Sequence, residues 1–215
     1  TIPAAVGLVI LREPIIRALF EHGEFTQASP ALTAHALLFY ALGLPAFAAV
    51  MLIVPAFYST KDTKTPVRVA AYAMAINILL NFLFLKTFFQ TFYNGGPAMA
   101  TTLAGYFNFL MLFVIFRLRY GRLGTLQIFA SMVKIIICSA LMGLLCWAMV
   151  TYSHFANFVS FLPQLGVFIA TIVAATLAYI GLTWLLRCPE VEEVYGIARR
   201  RERGVPQPPT YLGGG

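Results

Sequence analysis

The sequence predicts an all-α polytopic membrane protein, and two observations carry that prediction. Hydrophobic residues make up 60% of the 215-residue chain and charged residues only 11%, whereas an ordinary soluble domain is about 25% charged. The apolar residues also fall in unbroken runs of about 20, the length that crosses a bilayer as a helix. Because backbone groups in hydrocarbon must bond to one another, such runs form helices.

Six spans are predicted in chain order. The first lies inside a hydrophobic stretch that begins at Thr1 rather than at a methionine. We therefore expect the chain to be part of a longer protein, with a processed N-terminus as the alternative. The six spans are Thr1–Leu11, Ala34–Phe57, Val69–Phe89, Ala98–Phe116, Ile128–Tyr152 and Leu165–Leu186.

Three of these regions carry further local signals. Residues Arg12–Phe25 keep an apolar stripe opposite Arg17 and Glu21, which predicts a helix that runs out to the membrane interface and lies partly along it. In the second span, Gly43 and Pro45 predict a bend or local unwinding, because proline removes an intrahelical hydrogen bond. In the sixth span, small residues at every fourth position predict close packing on the fifth span; they are Gly166, Ala170, Ala174 and Ala178.

The placement of lysine and arginine predicts the orientation. Cations cluster in residues 61–68, 117–122 and 187–203, and these regions alternate with connections that hold almost none. Positive charge marks the cytoplasmic loops of a membrane protein, so we expect the C-terminus to be cytoplasmic. This topology explains the formal net charge of +7 without a nucleic-acid partner.

The sequence contains no catalytic constellation, and we expect no enzyme. Histidine and cysteine residues lack the spacing of a metal site or of a nucleophile beside its base; they are His22, His35, His154, Cys138, Cys146 and Cys188.

Polar side chains inside the spans are the better candidates for function. Asn77 and Asn81 are four residues apart on the third span and therefore share one helix face. Thr101 and Thr102 open the fourth span within possible reach of that face. Their oxygens form a hypothetical weak site for a monovalent cation or a polar headgroup. The alternative is interhelical hydrogen bonding, worth about 0.6 kcal/mol per contact.

A polar hairpin, Pro55–Pro66 (PAFYSTKDTKTP), separates the second and third spans. We expect Asp62 to cap the helix that follows it by bonding to Thr65, with Pro66 in the first turn.

These residues resemble the MurJ (MviN) family, the bacterial flippases for the lipid-linked peptidoglycan precursor. The resemblance covers about the first half of the chain. The residues that carry it are Phe57, Tyr58, Asp62, Thr63, Thr65 and Pro66 in the hairpin, Tyr40 and Gly43 before it, and upstream Arg12-Glu13-Pro14, Leu19-Phe20, Gly23 and Phe25.

The resemblance implies a MATE-like flippase fold of the multidrug/oligosaccharidyl-lipid/polysaccharide exporter type. That fold has two six-helix lobes around a central cavity and works by alternating access, and MurJ-like members add two helices whose groove receives the polyprenyl tail. Residues 1–117 would then be the last four helices of the second lobe, 118–187 the two additional helices, and 188–215 a cytoplasmic basic tail with a disordered end. The first lobe would be a missing partner from the same protein.

The resemblance also implies the function, the location and the site residues. The parent protein would move the undecaprenyl-pyrophosphate-linked precursor, lipid II, across the bacterial inner membrane, in contact with membrane lipids. Phosphate-binding candidates are Lys61, Lys64 and Arg68, for which a positive-inside signal is the alternative, and Arg12 and Arg17, for which local pairing with Glu13 and Glu21 is the alternative. Motif or hinge candidates are Tyr58, Asp62, Thr65, Pro66, Gly43 and Pro45.

Two further implications concern coupling and cargo. The resemblance implies no cofactor other than a sodium ion or the membrane potential as driving force. The sodium site would use Asn77, Asn81 and Thr101 or Thr102, and Asn81 stands where the family has an acid. Alternative functions are export of another polyprenyl-linked oligosaccharide or a small cation, and a membrane scaffold without transport.

Overall fold

The computed structural model describes residues 1–20, 28–87, 95–121, 125–152 and 161–185. Regular structure in these ranges is entirely α-helical, and each helix corresponds to one predicted span. The six helices are α1 Ile2–Phe20, α2 Ala28–Ser59, α3 Lys64–Thr87, α4 Gly95–Tyr120, α5 Thr125–Tyr152 and α6 Phe161–Leu185. The predicted tail, 188–215, lies outside the described residues.

Five of the helices, α2 to α6, are long and apolar enough to cross a membrane. The first helix extends beyond the predicted first span. Helix α1 runs without interruption through Pro14 and joins the predicted first span to the start of the predicted interfacial helix. The Arg12 guanidinium donates to Val9 O at 2.7 Å, next to the Ile10 carbonyl that Pro14 leaves without its helical donor.

Helix α2 remains helical through both Pro45 and Pro55, so the alternative of local unwinding is wrong. Helix α4 donates hydrogen bonds to carbonyls of α2 on either side of the carbonyl that Pro45 leaves without its helical donor. The Thr102 hydroxyl donates to Phe39 O at 2.6 Å, and the Tyr106 hydroxyl donates to Leu42 O at 2.9 Å. These donors bracket the carbonyl whose partner the proline removes.

The six helices pack in the spatial order α3, α4, α2, α1, α5, α6, in which each helix packs chiefly on its neighbours. Helix α4 thus lies between α2 and α3, and α1 connects α2 to α5. The chain places its first four helices on one side of this row and α5 and α6 at the other end.

Two glycines allow α2 and α4 to approach closely around the Phe47 ring. A Cβ at Gly105 would collide with that ring, and a Cβ at Gly43 would lie 2.7 Å from Thr102 Oγ1 and 2.9 Å from the ring. Small residues at a helix crossing permit this kind of backbone approach.

Two apolar clusters pack the helices against one another, one towards each end of the row. Near the hairpin, Phe57 and Phe116 meet edge to face with ring centroids 5.2 Å apart, beside Val69 and Leu112. The second cluster joins three helices through Met142, Cys146 and Ala175, with Val6, Ile10 and Tyr179 against it.

The small-residue row predicted on α6 does not form the packed face. Gly166 and Ala170 are exposed, and a Cβ at Gly166 would meet no other atom within 4 Å. Thr171 and Ala175 are buried instead. Helix α6 does pack on α5 as predicted, but with the face one residue further along.

Candidate functional site

The hairpin begins where α2 ends in two backbone hydrogen bonds of the Schellman type. Lys61 N donates to Tyr58 O at 3.0 Å and Asp62 N donates to Phe57 O at 3.1 Å. This pattern places Lys61 at the position after the helix that usually holds glycine in the left-handed conformation. Lys61 has a φ of 59°, so a lysine occupies the conformation that glycine adopts more easily.

Asp62 then starts α3. Its two carboxylate oxygens accept from Thr65, Oδ1 from the backbone N–H at 3.0 Å and Oδ2 from the hydroxyl at 2.6 Å. Pro66 is buried in the first turn. The predicted cap is therefore confirmed, and Asp62 takes part both in the end of α2 and in the start of α3.

Arg119, near the end of α4, is the third member of this site. Its Nη1 donates to Asp62 Oδ2 at 2.5 Å and to Thr65 Oγ1 at 3.1 Å. The sequence interpretation assigned Arg119 to topology alone. A signal for the contact was present, because residues 61–68 and 117–122 were predicted to lie on the same side of the membrane.

The pKa of Asp62 is lowered from its usual value by the hydroxyl and backbone hydrogen bonds from Thr65 and by the charge of Arg119. The carboxylate therefore stays ionised and bonded. Other cations at this end of the helices are exposed, and none of them forms an ion pair with a described carboxylate; they are Lys61, Lys64, Arg68 and Arg117.

The predicted cation site comes together in part. Asn77 Nδ2 donates to Thr101 Oγ1 at 3.2 Å, and Asn81 Nδ2 donates to Asn77 Oδ1 at 2.9 Å. The Thr101 hydroxyl donates to Pro97 O at 2.9 Å. Thr102 does not join this group, because it faces α2. The three remaining side chains join α3 to α4 by the interhelical hydrogen bonding that was the alternative interpretation.

The chemistry of this group is that of neutral oxygen ligands. Hard cations bind carbonyl and hydroxyl oxygens, and this group supplies amide and hydroxyl oxygens. In the described part of the chain, no cluster of three or more His, Cys, Asp or Glu side chains could hold a metal ion.

The two arginine candidates lie on α1. This helix precedes the start of α2, whereas the hairpin follows the end of α2. Arg12 Nη2 lies 3.7 Å from Glu13 Oε1, so the predicted local pairing of Arg12 is confirmed. The Arg17 side chain and Glu21 lie outside what the structure describes.

An open apolar groove of about 630 Å³ runs between α5 and α6. Nearby hydroxyls do not face it as free donors: Ser139 donates to Ile135 O at 2.7 Å and Thr183 to Tyr179 O at 2.9 Å, each within its own helix. Of the lining residues, the sequence analysis had singled out Ala178, for packing on α5; the lining consists of Leu141, Leu144, Leu145, Ala148, Ala178, Gly181, Leu182 and Leu185.

Comparison with known proteins agrees on one family. The family model described as lipid II flippase MurJ matches residues 1–168. A relative from Rhizobium meliloti (strain 1021), named probable lipid II flippase MurJ, is 34% identical over 157 residues, 72% of this chain and 28% of the relative. The lipid II flippase MurJ of Thermosipho africanus (strain TCF52B) is 38% identical over 112 residues, 52% of this chain and 23% of the relative.

A solved structure shows the same arrangement. The structure of lipid II flippase MurJ in an inward closed conformation matches with a TM-score of 0.59 and 27% identity, over 88% of this chain and 36% of that one. The chain thus spans about a quarter to a third of the length of these proteins. The fold, the family model and the relatives lead to one conclusion: the chain belongs to the lipid II flippase MurJ family.

Proposed function

We propose that this chain is the C-terminal part of a flippase that moves lipid II across the bacterial inner membrane by alternating access. The observation that carries the proposal is the family match over residues 1–168. Lipid II joins a charged pyrophosphate headgroup to a long apolar tail, so its carrier needs surfaces of both kinds. The described helices offer a basic end at the hairpin and an apolar groove between α5 and α6. The role is transport rather than catalysis.

The packing order supports different roles for two parts of the chain. Residues 1–117 would complete the second lobe, and residues 118–187 would form the two additional helices with the groove. Helix α1, which touches both α2 and α5, would join the two parts. The first lobe, from the rest of the same protein, would complete the central cavity.

The apolar groove would hold the polyprenyl tail while the headgroup crosses the membrane. Its lining is almost wholly apolar. The tail would therefore pass from the hydrocarbon of the bilayer into a groove that is also apolar. Alternating access would then move the headgroup between leaflets. The cationic candidates Lys61, Lys64 and Arg68 would meet the pyrophosphate at the cytoplasmic side, and Arg12 and Arg17 near the other leaflet.

Groove-filling substitutions test this proposal. Gly181 lines the groove and Gly166 does not, and a Cβ at either position would meet nothing within 4 Å. Gly181→Leu in the full-length gene product should therefore lower lipid II translocation in reconstituted vesicles at normal folded yield. The matched control, Gly166→Leu, should leave it unchanged. Equal rates in the two variants would contradict the groove's assigned role.

A sodium ion bound by Asn77, Asn81 and Thr101 would couple transport to an ion gradient, with the membrane potential as the other driving force. The closeness of these side chains supports the proposal, and Asn81, in place of an acid, makes the site weak. Asn81→Ala should abolish any sodium dependence of transport, while Thr176→Val, which removes a hydroxyl bonded within α6, should preserve it. Unchanged sodium dependence in Asn81→Ala would exclude this site.

The proposed orientation places the hairpin and the C-terminus in the cytoplasm. It rests on the cations of residues 61–68 and 117–122, which the Asp62–Arg119 contact brings to one end of the helices. A reporter that is active only in the cytoplasm, fused after Gly215, should be active. If this reporter is inactive, and a reporter that is active only in the periplasm is active when fused at the same position, the orientation is the reverse of the one proposed.

A further inference from the structure

Lys61 occupies a backbone conformation that does not suit a lysine. Its φ of 59° lies in the left-handed region, where a side chain crowds the backbone and glycine is favoured at this position after a helix. The hydrogen bonds of the turn are made by backbone groups of Lys61 and Asp62. The turn therefore needs the conformation and gains nothing from the lysine side chain, which is exposed.

In the described part of the chain, no carboxylate pairs with the Lys61 ammonium. The carboxylate beside it, Asp62, already accepts two hydrogen bonds from Thr65 and pairs with Arg119. Lys64 and Arg68 follow at the exposed start of α3. Among the described residues, this end of the molecule thus presents net positive charge outward, and the carboxylate of Asp62 is used inside the fold.

Aromatic and apolar side chains place this charge at the level of lipid headgroups. Tyr58 and Tyr120 are 49% and 43% exposed, as is typical of side chains at the membrane–water boundary. Immediately further along the helices, Val67 and Leu118 are 63% and 81% exposed, and apolar side chains so exposed need a hydrocarbon surrounding. The Lys61 ammonium lies beyond them, at the tip of the hairpin.

We propose that Lys61, with Lys64 and Arg68, binds the phosphate of an anionic phospholipid in the leaflet next to the hairpin. The ligand chemistry is a lipid-borne phosphate, and the surrounding leaflet is its source because the charge faces outward beside exposed apolar side chains. The lysine at this glycine-favouring position supplies a charge that the turn itself does not use. The same three cations are the candidates for the pyrophosphate of lipid II in the proposed function, so the test must separate the two phosphates; binding of a phospholipid itself requires neither lipid II nor movement.

Two variants of Lys61 separate charge from conformation. Lys61→Gly relieves the backbone strain and removes the positive charge. Lys61→Arg keeps the strained conformation and the charge. Full-length gene product, purified in detergent, is titrated with phosphatidylglycerol or phosphatidylcholine, and bound lipids are counted by native mass spectrometry. One cation near a membrane surface strengthens anionic lipid binding about fivefold. Lys61→Gly should weaken phosphatidylglycerol binding by about that factor, with thermal stability equal to or above the parent's, and Lys61→Arg should bind normally.

The controls decide between sources of phosphate. Lys134→Ala removes an exposed cation on α5 and should leave the tightest phosphatidylglycerol site unchanged, and phosphatidylcholine should bind all variants alike. If Lys61→Gly binds phosphatidylglycerol as tightly as the parent, the proposal is wrong. It is equally wrong if that variant loses affinity for a polyprenyl diphosphate alone, because the charge then serves the substrate. Neither result depends on a transport assay.

Discussion

The helices on the two sides of the row use their polar side chains in opposite ways. In the described parts of α2, α3 and α4, some hydroxyl and amide groups bond across helices, as Thr102 does to Phe39 O and Asn77 does to Thr101, while others, such as Thr101 to Pro97 O, bond within their own helix. In α5 and α6 they turn back to their own helix, as Thr171 does to Val167 O at 2.8 Å. The first group is therefore tied together by directional bonds, and the second leaves an apolar groove.

This difference suits two different tasks in a membrane. Without a hydrophobic driving force between helices in lipid, packing and interhelical hydrogen bonds hold helices in register. In the proposed function, a bundle tied in this way would move as one body, as a rocking lobe would require. The hydroxyls of Ser139, Thr171, Thr176 and Thr183 bond within their own helices, so a lipid chain between α5 and α6 would leave these bonds intact.

The largest expected effect breaks the tight side of this comparison. Gly105→Val places a branched side chain against the Phe47 ring and should lower the free energy of unfolding by about 1–3 kcal/mol through overpacking. Gly166→Val, at an open position on α6, serves as the control. Thermal unfolding followed by size-exclusion fluorescence measures both. Similar midpoints for the two variants would mean that the α2–α4 contact is looser than described.

Removal of the hairpin ion pair should have the next largest effect. Arg119→Ala deletes the bonds to Asp62 and Thr65 and should lower the midpoint of thermal unfolding. Arg117→Ala removes an exposed cation two residues away, with no described ion pair, and should change the midpoint less. If Arg117→Ala lowers the midpoint more than Arg119→Ala does, the ion pair between Arg119 and Asp62 does not stabilise the hairpin as proposed.

The same site predicts a pH dependence. Because the folded pKa of Asp62 is lowered, its contribution to stability is present above the unfolded value of 3.8 and is lost as pH falls through the folded pKa. Unfolding midpoints measured between neutral pH and pH 3 should fall less steeply for Asp62→Asn than for the parent. Parallel curves for the two proteins would show that Asp62 is not the titrating group.

The smallest effect compares two buried threonines of different bonding. Thr102→Val removes an interhelical hydrogen bond and should cost about 0.6 kcal/mol, with about 1.7 kcal/mol as the upper range. Thr171→Val removes a bond within α6 and should be close to neutral, because valine fits the same volume. Chemical unfolding in mixed micelles measures the difference. A larger loss from Thr171→Val would reverse the distinction between the two sides.

The sequence predicted the spans because hydropathy and length are properties of local segments. It also predicted the cap at Asp62, since the cap joins residues three apart. The Arg119 contact and the facing of Thr102 toward α2 depend on how helices rotate against one another. Rotation is decided by Gly43, Gly105 and the ring between them, and their effect is read only once the helices are packed.

The continuity of α1 and α2 shows the same limit. Proline in the second span predicted a bend or local unwinding, yet α2 is unbroken at Pro45, and α1 is likewise unbroken at Pro14. Donors from outside the local backbone, the Arg12 side chain and the hydroxyls of α4, bond carbonyls next to the disruption. A rule based on sequence order has no access to those donors. The position of the buried face on α6 likewise depended on its neighbour rather than on its own small residues.

Photo-crosslinking tests most directly whether the untied pair, α5 and α6, receives a lipid tail. A benzophenone amino acid replaces Leu145, which lines the groove, or Leu52, which is 79% exposed on α2, and cells expressing the full-length gene product are irradiated. Lipids attached to the purified protein are then identified by mass spectrometry. We expect polyprenyl carrier adducts at position 145 and ordinary phospholipid adducts at position 52. The same phospholipid adducts at both positions would contradict a groove made for the polyprenyl chain.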